Sequence, residues 1–280
     1  MLIIVHNMEL LDWIDENKLD WYELSENPNA INLLRNNIDK INWGKLSLNP
    51  NAIELLKENF DKIDWVQLAS NPNGIELLEQ YKDKILWFNL SSYFKELLVE
   101  DIYKYRMFWS NLSSNPNAIE LLRTKLSEIN WVWLSQNPNA MDLLKENYDK
   151  INWGSLSQNP NAIEFLKENP DKIDWNNLSS NPNAMSLLIE NIDRINWKGL
   201  SCNPNAMDLL IENIDNIDWT SLSSNPNAID LLIEYFDYID WDYLSENAND
   251  MDLLKENQDN INWEFISKNP NIFQYEIFLK

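Results

Sequence analysis

The side chains that ordinarily carry covalent or metal chemistry are nearly missing from this 280-residue chain, which has one histidine, His6, one cysteine, Cys202, and four glycines. A nucleophile needs a neighbouring base, and a zinc site needs several Cys or His ligands, so neither can be assembled from this set. Four glycines do not make a glycine-rich phosphate loop. Carboxylates are plentiful, with 45 Asp and Glu against 22 Lys and Arg, but they recur with the repeat described below and fall on its polar faces. The expectation is a protein that is not an enzyme and holds no cofactor or metal. The lone cysteine fits a reducing compartment and a tolerant repeat position.

Binding chemistry resides in the aromatic residues. Trp21, Trp43, Trp65, Trp87, Trp109, Trp131, Trp153, Trp175, Trp197, Trp219, Trp241 and Trp263 follow one another at intervals of 22 residues without an insertion or deletion. Indole rings can stack on sugars or bases, but a strict period matched by a leucine three residues later is what a packed spine requires. The tryptophans are therefore read as the large packing element of each layer.

The elements that position them repeat as well. In the unit from Trp153 to Asp174, Asn159 reads as an N-cap and Pro160 as the first turn of a helix B of about nine or ten residues that frays near Asn169. Asp174 is a capping residue directly before Trp175, and Trp175 and Leu178 share one face of a short helix A, partly 3-10. Stacked asparagines can satisfy turn backbone groups as a ladder. One unit cannot offset an ordering cost of ~1.5 kcal/mol per residue, so units must stack and bury a continuous spine. The fold class that follows is all-α: a right-handed α (or α/3-10) solenoid of about twelve 22-residue helix–turn–helix repeats, forming a superhelical rod. Residues 1–20 read as an N-terminal half-repeat cap, 21–262 as an array of eleven repeats with 87–108 degenerate, and 263–280 as a C-terminal capping repeat. Nothing in the unit reads as a strand, and 269–280 is expected to be a final helix.

The frame Leu-Ser-x-Asn-Pro followed by Leu-Leu, as in Leu134 to Leu144, resembles the leucine-rich repeat variant, which implies a solenoid of alternating α and 3-10 helices without strands. The chain also looks like the Asn-rich short-repeat proteins encoded by giant DNA viruses of amoebae. That resemblance implies a location in host cytoplasm or virion and carries no function with it.

Invariant positions build such an array, and recognition can be written only where the pattern lapses. The unit 87–108 loses Asn-Pro-Asn-Ala and is electrically neutral, as is 109–130. Its Tyr93, Phe94, Lys95, Tyr103, Lys104, Tyr105 and Arg106 are candidate interface anchors, and a decayed repeat or a bend explains the same residues. Repeats 197–262 carry Lys198 and Lys255 against fourteen acidic residues, a net of −12, which suits steering of a basic partner or simple solvation. The two residues after each tryptophan vary, as in Tyr22-Glu23, Gly44-Lys45, Val66-Gln67, Val132-Trp133 and Asp242-Tyr243. They should point away from the spine onto the concave face. Trp133, Asp242, Tyr243, Glu246 and Asp250 complete the candidate partner-binding set.

The net charge of −23 repels phosphate backbones and anionic headgroups, so neither nucleic acid nor membrane is an expected partner. The N-terminus lacks a basic n-region, and no stretch approaches the ~20 apolar residues of a membrane span. A cytoplasmic location is expected. The function expected is a protein–protein interaction scaffold presenting a mostly acidic surface. The alternative is a structural or virion component self-associating end to end through its apolar C-terminus, and a remoter one is an acidic DNA mimic.

Overall fold

The computed structural model describes residues 4–82, 99–249 and 251–279. It is an all-α repeat fold of short helices, each packed on its counterpart in a neighbouring repeat, and it divides into two compact units, Met1–Glu58 with Leu200–Lys280, and Asn59–Gly199.

The repeat 131–152 illustrates how the sequence makes its elements. Asn130 caps helix A, Trp131–Gln136, by accepting from Val132 N and Trp133 N. Helix A ends at Asn137 because Pro138 has no N–H to continue it. The Asn137 side chain accepts from Asn139 N at 3.0 Å, closing an Asx turn. Helix B, Met141–Glu146, begins after Ala140, and a 3-10 turn, Tyr148–Lys150, leads to the next cap. The conserved-frame asparagine thus belongs to the turn and is not the cap of helix B. In the unit examined by sequence, helix B spans Ile163–Lys167, shorter than expected, with Ala162 as its first flanking residue and no side-chain cap. The physical reason is that Asn159 Oδ1 accepts from Asn161 N at 2.9 Å to close the turn before helix B, which leaves the amide Nδ2 to donate elsewhere.

It is committed to the preceding repeat. Asn137 Nδ2 donates to Ser113 O at 3.0 Å and Asn115 O at 2.8 Å, and Asn159 Nδ2 finds Ser135 O and Asn137 O in the same way. A second rung runs outside it, from Asn139 Nδ2 to Pro116 O at 2.9 Å. Ser135 Oγ donates to Trp131 O and accepts from Asn152 N, tying each helix A to the next cap. The expected ladder is therefore present, and it saturates turn backbone that stacking would otherwise bury unpaired.

The fully buried residues between the layers are Leu134, Ala140, Leu143 and Leu144, with Ile151 closing the edge. The tryptophans take a different place from the one expected of them. Trp109 is buried, while the other described ones are half-buried and lie against the 3-10 turns, as in Trp65 with Phe60 and Tyr81, Trp153 with Tyr148 and Phe165, and Trp219 with Tyr238. The half-buried indoles thus seal the flank beside the alanine and leucine of each layer. Cations cover several rings, with Lys40 4.2 Å above Trp21 and Arg194 5.1 Å from Trp175.

Within the second unit the frame skips the degenerate repeat. Asn115 Nδ2 donates to Ala69 O and Asn71 O, and Asn117 Nδ2 to Pro72 O, bonds that elsewhere join consecutive repeats. Trp65–Leu68 packs directly on the helix Val99–Ser114. Phe108 stands where other repeats have a capping Asp or Asn, so nothing halts or restarts the helix before Trp109 and it runs unbroken for 16 residues. The layer of Trp109 thus stacks directly on that of Trp65, and residues 99–108 extend its helix A. Trp87, Tyr93, Phe94 and Lys95 lie outside the described residues.

In the first unit the C-terminal segment is not a helix. Strand β1, Ile4–Leu10, pairs antiparallel with strand β2, Phe273–Leu279, in the register Ile4 to Leu279 and Leu10 to Phe273. Phe273-Gln274-Tyr275-Glu276-Ile277 alternates with a period of two and is rich in aromatic and branched residues, which favours a strand once a partner edge is available. The N-terminal half-repeat likewise resolves into β1 and a 3-10 turn, Glu16–Lys18.

The first repeat then stacks on the last. Asn27 Nδ2 donates to Ser267 O and Asn269 O at 3.0 Å each, Asp20 N donates to Ser267 Oγ at 2.9 Å, and Asn29 Nδ2 reaches Pro270 O. These are the bonds that Asn49 makes to Ser25 O and Asn27 O, and Asn42 N to Ser25 Oγ. Lys18 covers Trp263 at 4.8 Å as Lys40 covers Trp21. The two ends of the array are therefore engaged with each other.

Candidate functional site

Helix A offers a surface because its cap and its two outward positions alternate around a single buried leucine. In the first unit four such helices, Trp241–Asn247, Trp263–Lys268, Trp21–Leu24 and Trp43–Leu48, follow one another through the joined ends. The side chains two and five residues after each tryptophan meet across the layers. Glu23, only 8% exposed, accepts from Lys45 Nζ at 3.1 Å and lies 3.5 Å from Lys268 Nζ; Lys45 also donates to Glu26 at 2.8 Å. Burial opposes the charge on Lys45, but its hydrogen bonds to Glu26 and Glu23 outweigh that, holding its pKa above the ordinary lysine value. A protonated lysine locked between carboxylates is no amine nucleophile.

Glu26, Asn27, Pro28, Lys45, Glu246 and Lys268 line a cavity of about 420 Å³ at this place. Two of its lining cations lie over aromatic rings of helix A. Tyr22 is half exposed with Lys45 5.0 Å above its ring, Phe265 has Lys268 at 5.1 Å, and Tyr243 is 43% exposed. Asp242 is exposed and accepts from Asn262 Nδ2 at 2.8 Å. Helix Trp241–Asn247 is longer than its counterpart Trp21–Leu24 because Ala248 stands where other repeats have proline. Asn247 Nδ2 consequently bonds Tyr243 O within its own helix and leaves the ladder.

Asp242, Tyr243 and Glu246 of the sequence-derived set are thus brought to one surface with Lys268, Glu26 and Lys45, which sequence reasoning did not single out. Their only signal was a pair of cations at two helix A positions otherwise neutral or acidic, in repeats at opposite ends of the chain. Asp250 lies outside the described residues. In the second unit, Trp133 and Val132 are exposed on helix Trp131–Gln136, while Tyr103 and Arg106 are exposed on Val99–Ser114, where Lys104 pairs with Glu100 at 2.7 Å. Tyr105 is a correction: it is buried, donates to Glu128, and its pKa is pushed up by desolvation and then by that carboxylate. The variable pairs after tryptophan do not all point outward either, since Glu23 and Val66 are buried by the adjoining layer.

Among the described residues no group of three His, Cys, Asp or Glu side chains is placed to hold a metal, and no helix is long and apolar enough to cross a membrane. Comparison with family models, with curated proteins and with solved structures returns no match.

Proposed function

We propose that this chain is a non-catalytic protein–protein interaction scaffold that offers a partner the helix A surface of its first unit. The observation that supports the reading is a ladder frame shared by the layers of Trp21, Trp43 and Trp263, and left by Asn247 beside the 420 Å³ cavity, on which most of the residues around that cavity do not repeat. Asp242 and Tyr243 stand where the last repeat has Glu264 and Phe265 and the first has Tyr22 and Glu23, and Lys268 stands between Glu246 and Glu26 at one shared position, so the surface varies while the frame is kept. Half-exposed tyrosines beside charges of both signs are what a recognition surface needs, since the rings supply contact area and the ions supply register.

Affinity capture with the full chain, compared with a variant carrying Asp242→Lys, Tyr243→Ala and Glu246→Lys, tests this. A stoichiometric partner held by the unaltered chain and lost by the variant is expected. Capture of the same partner in the same amount by both would sink the assignment of this surface. The alternative of end-to-end self-association rested on an exposed apolar C-terminal segment, and β2 already pairs with β1 of the same chain. Sedimentation should accordingly give one species over a wide concentration range.

A further inference from the structure

A second surface, on helix B, departs from the repeat in a way that defines its ligand. The position after the buried Leu-Leu pair normally holds a cation. Arg35 pairs with Glu58 of the next repeat at 2.5 Å, Arg123 with Glu146 of the next repeat at 2.6 Å, and Lys57 and Lys167 pair within their own helices with Glu54 and Glu164 at 2.9 and 2.8 Å. In these repeats the cation meets a carboxylate at one of two offsets, 23 residues on in the next repeat or three residues back in its own helix.

In two stacked repeats of the first unit that cation is replaced by isoleucine. Ile211 on helix Met207–Ile211 is 53% exposed, and Ile233 on helix Ile229–Glu234 is 49% exposed. Phe236, three residues beyond Ile233, adds a third apolar side chain at 41%. The carboxylates that the missing cations would meet are still there. Glu234 and Glu256 stand at the offset of Glu58 and Glu146, and Asp208 and Asp230 at that of Glu54 and Glu164. Among the described residues no cation forms an ion pair with any of these four. Aliphatic side chains exposed to water flank carboxylates whose internal partners have been removed, within repeats that carry a net charge of −12. Solvation alone gives no reason to exchange a charged side chain for isoleucine at two successive layers.

We propose that this helix B surface docks a basic amphipathic segment of a partner protein. Aliphatic side chains of that segment cover Ile211, Ile233 and Phe236, and its lysines or arginines take up at Glu234 and Glu256 the place that Arg35 and Arg123 fill at Glu58 and Glu146. This goes beyond the helix A surface and stands whether or not that surface binds.

The probe is a fluorescein-labelled helical peptide of leucine and lysine in amphipathic order, with a peptide of the same composition in scrambled order as control, read by anisotropy at near-physiological salt. The amphipathic peptide should bind at least about tenfold more tightly than the scrambled one, a difference of ~1.4 kcal/mol. The double variant Ile211→Lys, Ile233→Lys, which installs the residue that Lys255 supplies in the next repeat, should abolish that preference. Ile211→Gln with Ile233→Gln should weaken it without adding charge, and Tyr243→Ala should leave it unchanged. Equal binding of the two peptides would reduce the surface to a counterion for any polycation and overturn the proposal. So would unchanged binding by both double variants with native melting curves, or self-association of the free chain that the same variants abolish.

Discussion

If the last and first repeats are joined by the same bonds as any two neighbours, then breaking that junction should cost what breaking an internal one costs. Asn27→Ala removes an amide that donates to Ser267 O and Asn269 O at 3.0 Å and accepts from Asn29 N at 3.0 Å. Asn27 is 1% exposed, so water cannot replace these partners without opening the turn. Three bonds at ~1 kcal/mol each, with two carbonyls and one N–H left buried, give about 3 kcal/mol or somewhat more. Asn137→Ala removes an equivalent set in the second unit, to Ser113 O, Asn115 O and Asn139 N. Urea denaturation followed by tryptophan fluorescence, with amide exchange at β1 and β2, compares the two. The expected result is a similar fall in midpoint for both variants, with exchange at the strand pair accelerated only by Asn27→Ala. A large loss at Asn137→Ala beside no loss at Asn27→Ala would mean that the ends do not share the frame, and the helix A surface built across them would fall with it. A single transition is not required, because repeat arrays can melt in segments.

Gly74 takes the place where most repeats have alanine, yet Gly74→Ala should destabilise by roughly 1–3 kcal/mol in thermal melting, because a Cβ there would lie 2.8 Å from Leu68 O. Asp174 accepts from Asn177 N at 3.1 Å as the cap of helix A, so Asp174→Ala should cost ~1 kcal/mol in chemical denaturation while Asp174→Asn, the residue that other repeats use, stays within ~0.5. Tyr105 has its pKa raised above the ordinary tyrosine value of 10.0 by desolvation and the Glu128 contact. The folded state therefore keeps a proton that the unfolded state releases, so this contribution is whole below pH 10 and is lost as pH rises through the raised value. Tyrosinate absorbance should show one ring ionising after the others, and Tyr105→Phe should remove both that late step and the associated alkaline loss of stability.

Much of the layer was legible from local chemistry. Asp174 before Trp175 caps helix A by its own geometry, and Asn-Pro-Asn must turn because proline cannot extend a helix; both act within four residues. The ladder followed from asking where buried turn carbonyls find donors, and Asn137 answers it. The reading of Asn159 as a helix B cap failed because its Oδ1 takes the N–H of Asn161 to close the turn, so helix B starts only after Ala162, while its Nδ2 serves two carbonyls of the preceding repeat that are distant in sequence. The tryptophans were legible as packing elements, but not as half-buried ones: Trp153 packs at the flank against Tyr148 and Phe165, while Trp109 is buried.

The chain by itself determined the period, the helix A caps, the turn, the ladder and the apolar stripe, since each depends on residues at fixed short offsets repeated many times. Tertiary structure alone decided three things. Asn115 pairs with Asn71 past a whole repeat, β2 is a strand because β1 lies beside it, and Glu23 gathers Lys45 from the second repeat and Lys268 from the last. In each case the residues involved would satisfy several partners equally well. Which one they meet depends on where distant backbone donors and acceptors are left open, and a periodic sequence offers the same groups at every layer.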